Sequence, residues 1–74
     1  MMMNDFDLIG SNKTTGTLTF LHVNNNYRIH FYPNRIDNDG NITVEVVGYK
    51  DEDYKKFNRL EKAIAYVREI EADV

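Results

Sequence analysis

The residues of this chain that could do chemistry are few, and their spacing does not assemble a reaction. His22 and His30 are the only histidines and Ser11 is the only serine. A histidine can act as a general base, but neither has a Ser or Lys beside it at a recognisable spacing. Ser11 sits in a glycine-flanked loop without the strand-turn-helix setting of a nucleophile elbow. Period-two alternation along the flanking segments sends the two imidazoles to opposite faces of a sheet, so they cannot share a metal. Each therefore reads as an interfacial or surface histidine. The run Asp37-Asn38-Asp39-Gly40-Asn41-Ile42 has the outline of a calcium loop with Gly40 at the sharp turn. Its first ligand position would then be Arg35 and its bidentate acid would be Val46, and neither supplies oxygen to a hard cation. The run reads instead as an Asp-Gly hairpin turn. No catalytic residue, metal ligand or cofactor site is predicted, and the expectation is a chain that is not an enzyme.

Charge patterning is more suggestive. Lys55, Lys56, Arg59 and Lys62 follow directly on Asp51-Glu52-Asp53 and straddle the start of a predicted helix, where the dipole disfavours cations. That local conflict hints at an anionic or acidic partner, although most such runs are solvated faces. The chain as a whole carries a net charge of −3, which argues against a general binder of phosphate backbones.

The elements that position these residues centre on Tyr27 to Val46. Tyr-Arg-Ile-His-Phe-Tyr-Pro and Asn-Ile-Thr-Val-Glu-Val-Val alternate with period two and are rich in aromatic and β-branched types, the signature of half-buried strands. Between them a polar turn runs from Asn34 to Gly40. Strands are expected near 6–9, 17–23, 27–33 and 42–49, with a glycine-bounded loop from Gly10 to Gly16 and a frayed start over 1–5. A two-residue turn at Asn24-Asn25 pairs Phe20 with Ile29 and Leu18 with Phe31, which gathers Leu18, Phe20, Tyr27, Ile29 and Phe31 on one face. In the next hairpin, pairing Ile29 with Val44 sets Phe31 opposite Ile42, Tyr27 opposite Val46, and Arg28 opposite Glu45 as a cross-strand charge pair. Residues 50–57 read equally as turn, short strand or early helix. Asn58 with Glu61 three positions on is a capping-box pattern. The stripe Leu60, Ala63, Ile64, Val67 and Ile70 then predicts an amphipathic helix near 58–72.

The fold expected is α+β: a single small domain over 1–74, an antiparallel meander of three to four strands with one C-terminal helix packed on one face. There are no cysteines, no apolar run long enough to span a membrane, and no basic or apolar segment at Met1-Met2-Met3-Asn4-Asp5 to suggest a signal peptide. A soluble cytoplasmic protein is the default these features leave.

With the helix on one face, the other face is left open. It carries Thr17, Thr19, Leu21 and Val23, then Arg28, His30 and Tyr32, then Thr43, Glu45, Val47 and Tyr49. Tyr and Arg are the types that form interface hot spots. Leu21, Tyr32, Val47 and Tyr49 are predicted to be buried by a protein partner or by a second copy, with Arg28 and His30 supplying directional contacts. The expected function is a non-enzymatic protein-interaction module, of inhibitor or adaptor type. A small acidic chain of biased composition is also compatible with a phage or mobile-element origin. The alternative is a module stacking single-stranded nucleic acid on Tyr32, Tyr49 and His30. Negative charge and the lack of a glycine-aromatic run count against it.

Overall fold

The computed structural model describes residues 4–48 and 53–72. Five strands form one antiparallel sheet in sequence order: β1 (Phe6–Asn12), β2 (Thr17–His22), β3 (Arg28–Ile36), β4 (Ile42–Val47) and β5 (Lys55–Phe57), followed by α1 (Leu60–Ala72). The architecture is the expected α+β meander with a C-terminal helix, but it has five strands rather than three to four. The fifth is the short segment after the acidic run that sequence left undecided. It pairs Phe57 with Val44 and Lys55 with Val46.

The β2–β3 register is the one the apolar alternation dictates, with Leu18 opposite Phe31 and Phe20 opposite Ile29. The turn that sets it is longer than two residues. His22 N–H donates to the Tyr27 carbonyl, and Asn26, at φ 61°, reverses the chain. The β3–β4 register is displaced by two residues from the expectation. Ile29 faces Val46, Phe31 faces Val44, and Glu45 lies opposite His30 rather than Arg28. The reason is that β3 does not end at Pro33. It runs on to Ile36 through an irregularity between Tyr32 and Ile36, so the polar turn is shorter than Asn34 to Gly40. The turn itself is built by Asp37, whose carboxylate accepts the Asp39 and Asn41 amides at 2.9 Å each, with Gly40 at φ 82°. A shift of two conserves side-chain parity, so the faces stay as expected while the partners change.

β1 also outruns its expected limit, continuing through Gly10 and Ser11 to Asn12 with a bulge between Leu8 and Gly10. These are poor strand formers, and pairing with β2 overrides their preference. The chain is not frayed as far as residue 5. Asp5 is anchored, as described below, while 1–3 lie outside the described residues.

The core is Phe6, Ile29, Val44, Val46, Ala63, Ile64 and Val67, all buried, flanked by Phe20, Phe31, Ile42, Phe57, Leu60 and Tyr66. Fully burying a Val, Ile or Phe side chain in this core contributes about 1.5–3 kcal/mol. The helix stripe supplies three of the buried residues, Ala63, Ile64 and Val67, and Leu60 among those flanking them, as its spacing predicts. The helix begins at Leu60, and the expected cap is missing. Asn58 makes no side-chain hydrogen bond among the described residues, and the Ala63 amide donates to the Arg59 carbonyl at 3.4 Å. The helix lies over β3, β4 and β5, so the helix-side residue of β1, Leu8, stays 58 % exposed. Gly48, after β4, is required by close approach. A Cβ there would sit 2.8 Å from the Tyr27 ring and 2.6 Å from the Asp53 Cβ.

Candidate functional site

Among the described residues no helix or strand covers the sheet face opposite α1, and the register arranges its side chains in rungs. One rung runs Asp7, Leu21, Arg28, Val47 across β1 to β4. The next runs Gly10, Thr19, His30, Glu45, Lys56 across all five strands. Beyond it Tyr32 faces Thr43.

The rungs differ in character. In the middle one, Thr19 Oγ1 lies 3.1 Å from His30 Nδ1. Glu45 is the hub: its carboxylate accepts the Tyr32 hydroxyl at 2.8 Å and the Tyr54 hydroxyl at 2.6 Å. The Tyr54 hydrogen bond, then that of Tyr32, with His30 and Arg35 nearby, outweigh burial and hold the Glu45 carboxyl below its ordinary range. A carboxylate so held is ill suited to taking a proton near neutral pH. Tyr54 in turn is raised by its bond to Glu45, and Tyr32 is raised by burial and then by Glu45. The irregular end of β3 directs Arg35 back over this face, its guanidinium 4.2 Å from the Tyr32 ring centroid. Thr43 is buried there and donates to the Arg35 carbonyl at 3.3 Å.

The first rung is free of such internal bonding. Arg28 is exposed and makes no hydrogen bond or ion pair among the described residues. Its expected partner Glu45 is one rung away and already engaged. Leu21 and Val47 on either side of it are half-buried. A shallow hollow of about 340 Å³ opens between Leu21, Arg28, Asn26 and Gly48.

The six residues expected to bind a partner are thus divided. Leu21, Arg28 and Val47 share one rung and present accessible surface. His30 and Tyr32 lie on the same face but are engaged with Thr19, Glu45 and Arg35. Tyr49 lies outside the described residues. His30 is at the face, as expected, whereas His22 is no surface residue: it is fully buried on the helix side.

His22 belongs to a second polar cluster that sequence does not reveal. Its Nε2 lies 3.0 Å from Asp5 Oδ2 and its Nδ1 3.0 Å from Asn25 Oδ1. Asn25 is oriented by accepting the Tyr27 amide at 3.0 Å and donating to the Val67 carbonyl at 3.2 Å. Arg68 grips Asp5 with Nε and Nη2, both at 2.8 Å. That bidentate bond first, and His22 second, hold the Asp5 carboxyl far below its usual range against the opposing effect of burial. Arg68 also lies 5.7 Å from the Phe6 ring centroid. The hydrogen bonds just described tie β2 to the start of the chain, the β2–β3 turn and the helix, so the cluster is a structural clasp. No group of three His, Cys, Asp or Glu side chains able to hold a metal occurs among the described residues, and no described helix is long and apolar enough to cross a membrane.

Comparison with protein families, with curated proteins and with solved structures returns no match.

Proposed function

We propose that this chain is a non-enzymatic protein-interaction module of inhibitor or adaptor type, working in the cytoplasm, that binds a protein partner or a second copy through the sheet face opposite the helix. A small, cysteine-free, acidic chain of this kind suits a phage or mobile-element origin. The observation that carries the reading is the first rung. Leu21 and Val47 flank an exposed Arg28 that has no partner among the described residues, and no described element covers them. Apolar side chains around a guanidinium are the composition of an interface centre. Stacking of nucleic-acid bases is less well served, because Arg35 already occupies one face of Tyr32.

The test is solution mass by light scattering together with chemical cross-linking to host proteins, wild type beside Leu21→Glu/Val47→Glu. These positions avoid the Tyr32–Glu45–Tyr54 network, so the variant should stay folded by circular dichroism. Loss of self-association, or of a specific cross-linked partner, supports the reading. A folded variant identical to wild type in both measurements removes this face from it.

A further inference from the structure

A larger hollow than the one beside Arg28 lies elsewhere, where β5 meets the start of α1. It measures about 620 Å³ and is lined by Lys55, Lys56 and Lys62 over a floor of Ile42 and Phe57. A second hollow of about 430 Å³ shares Asn41, Ile42 and Asn58 with it and continues past Phe31 and Arg59. Together they make one groove, longer than a small ion needs, that follows the helix start, the end of β5 and the start of β4.

The charge in this groove is not neutralised from within. None of its three lysines forms a salt bridge among the described residues. Arg59 at the far end is paired with Glu61 at 3.4 Å. Asp37 is the one carboxylate in the main hollow. Its oxygen is spent on the Asp39 and Asn41 amides, and Lys56 is close enough to help lower its pKa but not to bond it. Lys55 is steadied by the Tyr66 and Phe57 rings, 5.0 and 5.9 Å from its ammonium. In a chain of net charge −3 this is a concentrated positive site.

Lysines on an edge strand can serve simply to repel unwanted strand pairing, and that would account for Lys55 and Lys56. It does not account for Lys62, which belongs to the helix. There, in the first turn, the dipole disfavours a cation, and no side chain among the described residues caps the first-turn amides. Three lysines from two elements line one hollow floored by Ile42 and Phe57, with Lys55 and Lys56 reaching it from opposite faces of β5.

We infer that this groove receives an extended acidic segment of a partner protein. Its carboxylates would meet Lys55, Lys56 and Lys62, and an apolar side chain would seat on Ile42 and Phe57. The site lies away from the Leu21, Arg28 and Val47 rung, although Lys56 also ends the neighbouring rung of the open face, and it does not rest on the proposed function.

The probe is a short fluorescently labelled peptide alternating Glu and Val, with its Lys–Val counterpart as control, followed by fluorescence polarisation on the full chain. Saturable binding of the acidic peptide is expected, weakening with added salt. Lys56→Gln/Lys62→Gln alters two exposed side chains and should leave the fold intact. Binding should fall about tenfold, the effect of losing two exposed charge pairs. Lys13→Gln, in the β1–β2 hairpin loop, and Leu21→Glu/Val47→Glu should bind as wild type. No saturable binding, or equal binding by Lys56→Gln/Lys62→Gln, would overturn the assignment. So would displacement of the peptide by inorganic pyrophosphate at equal concentration, since that would make the groove a small-anion site.

Discussion

Replacing Asp5 by Asn tests the clasp that ties the start of the chain to the helix. The change keeps the side chain's shape and removes its charge. It weakens two charge-assisted bonds from Arg68, both 2.8 Å, and one from the fully buried His22 at 3.0 Å. Bonds to a charged group contribute about 1.5–3 kcal/mol each when buried. The Arg68 side chain is 39 % exposed and that of Asp5 24 %, so solvent screening reduces their pair to about 1 kcal/mol. The His22 contact is shielded, and a buried donor left poorly matched costs about 1–3 kcal/mol. The sum is about 2–4 kcal/mol, a large share of the ~4–11 kcal/mol expected for a domain of this size. Urea unfolding followed by circular dichroism at neutral pH should show the midpoint falling by about 2 M or more at unchanged slope, with the slope near 1 kcal/mol/M. The pH profile sharpens the test. Asp5 binds its proton far more weakly folded than unfolded, so its stabilisation is complete above about pH 5 and is lost as pH falls through the ordinary carboxylate range towards its own lowered value. Asp5→Asn should flatten that acid limb. Asp7→Asn, two residues on, exposed and unbonded among the described residues, should shift stability by less than about 0.5 kcal/mol. Equal behaviour of the two variants would refute the clasp.

The Glu45 hub makes a second prediction. Tyr32→Phe/Tyr54→Phe removes both hydroxyl donors, so the Glu45 carboxyl should titrate nearer its ordinary range by NMR, at a loss of about 0.5–1.5 kcal/mol per bond. Gly48→Ala forces a methyl group against the Tyr27 ring and the Asp53 Cβ. A thermal melt should show destabilisation of about 1–3 kcal/mol, against little change for Gly10→Ala, whose nearest neighbour would be an ordinary 3.5 Å contact.

The apolar alternation of Leu18, Phe20, Ile29 and Phe31 carried enough information to fix the β2–β3 register and both faces, because a one-residue slip would have turned the core outward. It could not fix the β3–β4 register. A slip of two leaves the same residues inside, and what decides between the two is Asp37 folding its carboxylate over the turn and Pro33 to Arg35 continuing as strand. The cross-strand pairing of Arg28 with Glu45 was attractive chemically and wrong geometrically for that reason. The candidate face was therefore legible as a face, but its division into a bonded rung around Glu45 and an accessible rung around Arg28 was not. Asp5, Asn25 and Arg68 carried no local signal at all, since they become neighbours of His22 only once the sheet and helix have packed.

That packing has a kinetic side. Each strand of the sheet pairs with the one next to it in sequence, so most of the fold can form through short loop closures, the regime in which folding is fast. The Asp5–Arg68 contact spans the longest stretch of chain among the bonds described, joining groups 63 positions apart. Closing so long a loop is rewarded only after the meander and helix are in place, so this contact belongs to the native side of the barrier. Asp5→Asn should then raise the unfolding rate and leave the folding rate nearly unchanged in a stopped-flow chevron. The clasp would govern how long the molecule stays folded more than how quickly it gets there.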